Sequence, residues 1–146
     1  ASFKTIKPLQ TKIGQFSGQW IAGELKNSGV LPPRIFSTYN GNLGSILVML
    51  DLFEKMVSKK KWVVLGDMLE LGKEEKDEHE ALGERLSDMD LQKIILVGER
   101  VKKYTAPKLK QENVFVGNQK EALDYLEANI TGGETILFKS SQSLFC

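Results

Sequence analysis

Short apolar runs alternate with helical stretches along most of the chain after Pro33. The runs occupy residues 34–39, 61–66, 93–98, 113–117 and 134–139. A continuous apolar run such as KWVVLG is typical of a parallel strand that is covered on both faces. Strands that alternate with helices pair in parallel through right-handed crossovers. We therefore expect an α/β fold, a Rossmann-like three-layer domain with a mostly parallel sheet.

Helical spacing of apolar residues predicts three helices between these strands, at residues 43–58, 74–89 and 118–130. The first is apolar on several faces, including Val48, Leu52 and Val57, so we expect it to be largely buried. The third begins at Asn118, a good N-cap residue, and Glu121 three positions later completes a capping-box pattern. A loop containing Pro107 is expected before the fourth strand.

The first 33 residues follow a different pattern from the rest of the chain. Their apolar residues alternate and are interrupted by Ser17-Gly18, which predicts a hairpin or an antiparallel edge strand. We divide the chain into a lead-in segment, residues 1–33, and an α/β domain, residues 34–146. The chain starts at Ala1 and stops shortly after its last predicted strand, which suggests a piece of a larger protein.

Composition excludes several classes of function. With 20 basic and 19 acidic residues, the chain lacks the charge expected of a nucleic-acid-binding domain. No apolar run approaches the ~20 residues that cross a bilayer, so membrane insertion is not expected. The only cysteine is Cys146 at the end of the chain, and we expect a reducing, cytoplasmic setting. A single histidine and a single cysteine argue against a zinc site and a disulfide framework.

Polar residues gather where the predicted strands end, at the edge where α/β sheets bind ligands. At the ends of the first and last strands these are Tyr39, Asn40, Asn42, Lys139 and Ser141. A helix N-terminus follows Asn42 and attracts anions, and Lys139 adds a cation to the same crevice. An equally supported alternative makes Asn40 and Asn42 turn and cap residues, with Lys139 exposed to solvent.

The turn between Gly66 and Gly72 carries two carboxylates, Asp67 and Glu70, at the end of a buried strand. It resembles a phosphate-binding loop in outline, but the spacing and the residue after the lysine do not match. The sole histidine, His79, lies on the apolar stripe of the next helix. We expect it to be a packing or capping residue rather than a catalytic one.

Four stretches together resemble the C-terminal domain of the Mur ligases: YNGNLGS, VVLGDMLELG, ILVGE and LFKSS. The resemblance implies an ATP-dependent ligase that adds D-alanyl-D-alanine to a UDP-muramoyl peptide through an acyl phosphate. It implies ATP and Mg²⁺ bound mainly by a separate central ATPase domain, so that this chain alone is inactive and holds no catalytic residue.

The same resemblance implies roles for individual residues. Tyr39, Asn40, Asn42, Lys139 and Ser141 would face the nucleotide. Asp67 and Glu70 would face the substrate and receive or orient its cationic amine. The alternative for these two carboxylates is that they only cap the following turn and helix.

Two departures from the family pattern favour a second interpretation. The family has two acidic residues before its Tyr-Asn pair, where this chain has Phe36 and Ser37, and its Lys-Gly-Ser-Arg motif ends here in Gln142. The second acidic residue helps to hold the nucleotide ribose in the family. The alternative function is therefore a non-catalytic binding module descended from such a domain.

Overall fold

A computed structural model describes residues 34–38, as backbone, and residues 42–139 in full. In chain order the elements are β1 (Arg34–Thr38), α1 (Leu43–Glu54), β2 (Lys61–Gly66), a 3₁₀ turn (Gly72–Glu74), α2 (Glu75–Ser87), β3 (Lys93–Val97), a π-helical turn (Val101–Thr105) continued by a 3₁₀ turn (Ala106–Lys108), β4 (Val114–Gly117), α3 (Gln119–Asn129) and β5 (Thr135–Lys139). The predicted hairpin of residues 1–33 lies outside the described residues, so it stays a prediction.

The five described strands form one sheet in the order β1-β5-β2-β3-β4, and every pairing is parallel. The chain crosses the sheet in one direction from β1 to β4 and then returns to insert β5 between β1 and β2. Because these crossovers are right-handed, the first three connections lie on one face and α3 lies on the other. The predicted Rossmann-like three-layer α/β architecture is confirmed.

Each face of the sheet has its own apolar core. On one face, α1 and α2 bury Ile46, Leu50 and Leu82 against β2 and β3. On the other, α3 buries Ala122 and Leu126 with the neighbouring strands. The alternating outward direction of strand side chains supplies both cores, which explains why β2 reads as a continuous apolar run.

The prediction for α1 was wrong in length and in burial. The helix ends at Glu54, and its last turn tightens as the backbone N–H of Met56 donates to the carbonyl of Phe53. Val57 therefore lies beyond the helix and is 95% exposed, while Val48 and Leu52 are more than half exposed. One layer of helices covers this face of the sheet, so the outer side of α1 meets solvent despite its apolar residues.

The expected loop after β3 is largely helical, from Val101 to Lys108. We call this region the 101–108 segment. Val101 and Thr105 are buried in it, and the Thr105 hydroxyl donates to the carbonyl of His79 in α2 at 2.8 Å. Pro107 suggested a loop, but it occupies the first turn of a short 3₁₀ helix, where proline is tolerated. In the described part of the chain, no helix is long and apolar enough to cross a membrane.

Candidate binding edge of the sheet

The carboxyl ends of β1, β5 and β2 lie side by side. Lys139, the last residue of β5, is paired with Thr38 on one side and with Leu65 on the other. Asn42 follows β1 and Asp67 follows β2, so the fold brings three of the predicted site residues to one edge. Tyr39, Asn40 and Ser141 lie outside the described residues, and their roles stay predictions.

Asn42 is the N-cap of α1. Its side-chain oxygen accepts the backbone N–H of Ser45 at 2.8 Å, and its own carbonyl accepts the Ser45 hydroxyl at 3.2 Å. Such a cap satisfies one of the free N–H groups at the start of a helix. The amide NH₂ of Asn42, on an exposed residue, remains a donor that can point toward a ligand.

Lys139 is buried, with only 2% of its surface exposed. The alternative in which Lys139 is exposed to solvent is therefore wrong, because β5 lies inside the sheet, between β1 and β2. Burial lowers the pKa of the Lys139 ammonium group because desolvation disfavours the charged form. A lysine held at this point is positioned by the sheet rather than free to swing in solvent.

The carboxylate of Asp67 links β2 to the segment that follows β3. One oxygen, Oδ1, accepts the backbone N–H groups of Arg100 at 3.0 Å and of Val101 at 2.9 Å. The other oxygen, Oδ2, lies 3.3 Å from the Arg100 guanidinium. Asp67 thus caps a helical segment distant in sequence, not the adjacent turn that its position suggested. Only 14% of its side chain is exposed.

Gly98 makes room for this carboxylate. Its φ is +130°, and a Cβ added there would lie 2.5 Å from Oδ1 of Asp67. Any other residue would clash with the carboxylate and would also be strained in its backbone. The glycine at the end of β3 and the aspartate at the end of β2 therefore form one local arrangement.

Arg100 completes an ionic network with Asp67 and Glu75. Its Nε donates to Glu75 at 2.5 Å, so the start of α2 is tied to the start of the 101–108 segment. Glu75, and after it Asp67, raises the pKa of the Arg100 guanidinium by accepting its hydrogen bonds. Sequence reasoning missed Arg100, because a contact between residues 33 positions apart depends on the strand order.

His79 is completely buried, and both of its ring nitrogens are engaged. Nε2 accepts the backbone N–H of Met68 at 3.1 Å, and Nδ1 donates to the carbonyl of Glu75 at 2.7 Å. This pattern requires a neutral imidazole with its proton on Nδ1. The expectation of a packing or capping histidine is confirmed, and neither nitrogen is free to act as a base.

Glu70 differs from Asp67 in exposure and in backbone conformation. It is exposed, and its φ of +63° makes it the one residue other than glycine with a positive φ in the described part of the chain. Gly72 follows with a φ of +60°. The turn from Gly66 to Gly72 therefore buries its first half and holds its second half at the surface.

A cleft of about 440 Å³ lies next to this site, between the carboxyl ends of β3 and β4. The connection after β3 crosses one face of the sheet and α3 crosses the other, so this is a topological switch point. Its lining includes Glu99, Lys102 and Gln119. The cleft follows from the strand order, so sequence reasoning did not identify it. Among residues 42–139, no cluster of acidic, histidine or cysteine side chains could hold a metal ion.

Comparison with protein-family models gives a match to the Mur ligase, glutamate ligase domain, over residues 24–142. The chain is 31% identical over 111 residues to the UDP-N-acetylmuramoyl-tripeptide–D-alanyl-D-alanine ligase of Buchnera aphidicola subsp. Baizongia pistaciae, covering 75% of the chain and 24% of the relative. It is 29% identical to the same enzyme of Buchnera aphidicola subsp. Acyrthosiphon pisum, covering 97% of the chain and 32% of the relative. The chain thus spans about a quarter to a third of the length of these relatives.

Two solved structures have a similar fold. The MurF ligase of Thermotoga maritima, in complex with ADP, matches with a TM-score of 0.57 and 24% identity over 75% of this chain and 26% of that one. A MurF structure from Acinetobacter baumannii matches with a TM-score of 0.60 and 25% identity over 72% of this chain and 23% of that one.

Proposed function

Since the chain belongs to the Mur ligase family, matching its glutamate ligase domain, we propose that it is the C-terminal part of a MurF-type ligase that joins D-alanyl-D-alanine to a UDP-muramoyl peptide. The observation that carries the proposal is the convergence of Asn42, Lys139 and the 66–72 turn at one sheet edge. A ligase that must bring a nucleotide and an amine to one carboxyl group needs such an edge facing its ATPase domain.

The reaction has two steps that this edge would serve. The terminal phosphoryl group of ATP is transferred to the peptide carboxylate, giving an acyl phosphate and ADP. The amine then attacks the acyl carbon, phosphate leaves and the nitrogen loses a proton, which completes the amide bond. A positioned cation beside developing phosphate charge accelerates such steps, and we assign that role to Lys139 on the nucleotide side.

The nucleotide side would include the start of α1 as well. The N-terminus of a helix favours negative charge, and Asn42 keeps an amide donor there. Tyr39, Asn40 and Ser141 belong to the same side by their positions in the sequence. Mg²⁺ would neutralise phosphate charge during the reaction, and we assign it to the central ATPase domain because residues 42–139 contain no cluster of metal ligands.

The other side of the edge would receive the amine. The 66–72 turn presents acidic side chains, and an ammonium group is the complementary charge. We place the reaction in the cytoplasm, where ATP and UDP-linked precursors are available.

A ligation assay tests the proposal. The complete ligase that carries this chain is incubated with ATP, Mg²⁺, a UDP-muramoyl tripeptide and D-alanyl-D-alanine, and the amide product is identified by mass spectrometry. Product formation that requires the dipeptide and ATP is expected. Saturable nucleotide or dipeptide binding without any amide product would instead favour a non-catalytic binding module, to which the departures at Ser37 and Gln142 point.

A further inference from the structure

The 66–72 turn is fixed to the rest of the domain in its first half. Asp67 accepts the backbone N–H groups of Arg100 and Val101, and the backbone N–H of Met68 donates to the buried His79. The Met68 side chain is itself 1% exposed. These contacts leave little freedom at the start of the turn, so the residues after Met68 are presented in a defined position.

Leu69 and Glu70 form the exposed tip of the turn. Leu69 is 43% exposed, and Glu70 makes no hydrogen bond or ion pair with any residue of the described part of the chain. The left-handed backbone of Glu70, with φ at +63°, is one that residues other than glycine rarely adopt. Glycine would hold this conformation more easily. The backbone therefore does not explain the glutamate, and strained positions of this kind cluster at functional sites.

The two carboxylates of the turn consequently have different capacities. Asp67 has both oxygens engaged, by two N–H groups and by Arg100, whereas the Glu70 carboxylate is available. Arg100 is in turn occupied by Glu75 and Asp67, so it does not neutralise Glu70. The tip thus offers a free negative charge beside an apolar side chain.

We infer that Glu70, and not Asp67, binds the ammonium group of the incoming amino substrate, with Leu69 contacting its small apolar side chain. Asp67 is a positioning residue that fixes the turn. The inference rests on the proposed function, since it takes the cationic amine of that reaction as the ligand. It adds which carboxylate makes the contact and how the backbone presents it.

The test uses the complete ligase and measures KM for D-alanyl-D-alanine and for ATP separately. Glu70→Gln removes the charge and keeps the size, and should raise KM for the dipeptide about tenfold, as loss of a charge-assisted hydrogen bond does. KM for ATP should stay within a factor of two. Glu74→Gln is the matched control, because Glu74 is also exposed and lies four residues away; both KM values should be unchanged.

Glu70→Gly separates the side chain from the backbone. It should raise KM for the dipeptide as much as Glu70→Gln does, while the protein melts at or above the wild-type temperature because the left-handed strain is relieved. An unchanged dipeptide KM in both variants would overturn the inference, and so would an equal rise in KM for ATP. Wild-type ligation of the dipeptide tests the proposed function itself, so a failure there is distinguishable from a failure of Glu70.

Discussion

Replacing Asp67 should destabilise the domain, because its carboxylate joins two strand ends. Asp67→Ala leaves the N–H groups of Arg100 and Val101 without their acceptor. Each such loss costs ~1–3 kcal/mol when buried, and this site is slightly exposed, so we expect ~2–4 kcal/mol in total. Asp67→Asn keeps an oxygen for both N–H groups. It loses a helix-dipole contribution of ~0.3–1 kcal/mol and an ion pair worth at most ~1 kcal/mol, since Arg100 is partly exposed.

Urea unfolding of the chain measures these differences as changes in the free energy of unfolding. The expected order of stability is wild type, then Asp67→Asn at a cost of ~1–2 kcal/mol, then Asp67→Ala, with an unchanged m-value. Asp90→Asn is the control, because Asp90 is exposed and has no hydrogen bond or ion pair within the described residues. A free energy for Asp67→Ala within ~0.5 kcal/mol of wild type, the range of ordinary surface changes, would refute the capping role.

Three further predictions concern packing, charge and activity. Gly83→Ala places a Cβ 2.6 Å from the carbonyl of Thr105 and should destabilise the domain by ~1–3 kcal/mol. Gly44→Ala, at an exposed helix position with ordinary contact distances, should be neutral or stabilising. Urea unfolding of both variants measures the two changes in the free energy of unfolding. Because burial lowers the pKa of Lys139, the unfolded state binds more protons than the folded state just below pH 10.5, and wild-type stability should rise with pH in that range relative to Lys139→Met. The free energy of unfolding is measured by urea titration at several pH values for both proteins, and equal slopes against pH would argue against this prediction. The isolated chain should show no magnesium-dependent ATP hydrolysis in a phosphate-release assay, since it lacks a phosphate-binding loop; turnover abolished by one substitution within the chain would count against this.

Much of the fold was accessible from the sequence because strand and helix periodicities are local. The apolar run of β2 and the capping box at Asn118 both appear as expected, the latter with its two reciprocal hydrogen bonds. Val48 and Leu52 were misjudged because apolar composition does not reveal how many layers cover a helix. The 101–108 segment was missed because its helical turns are stabilised by contacts from other elements rather than by its own sequence.

The sequence predicted where the candidate site residues lie in the fold, but not which contacts they make. Strand ends identified Asp67 and Lys139, yet the partners of Asp67 lie 33 and 34 positions away and depend on β3 lying beside β2. The burial of Lys139 depends on β5 returning to the middle of the sheet, which no local pattern encodes. The left-handed backbone of Glu70 was likewise not predictable from the sequence of the turn.

Hydrogen–deuterium exchange of the complete ligase tests the central claim most directly, namely that one sheet edge serves the nucleotide on one side and the amine on the other. Exchange is followed with a non-hydrolysable ATP analogue alone and after adding D-alanyl-D-alanine. We predict that the analogue slows exchange in peptides covering residues 39–45 and 136–142, and that the dipeptide then slows exchange in the peptide covering residues 66–73. Protection by both ligands confined to the β3–β4 cleft, around residues 97–102 and 116–121, would contradict the account.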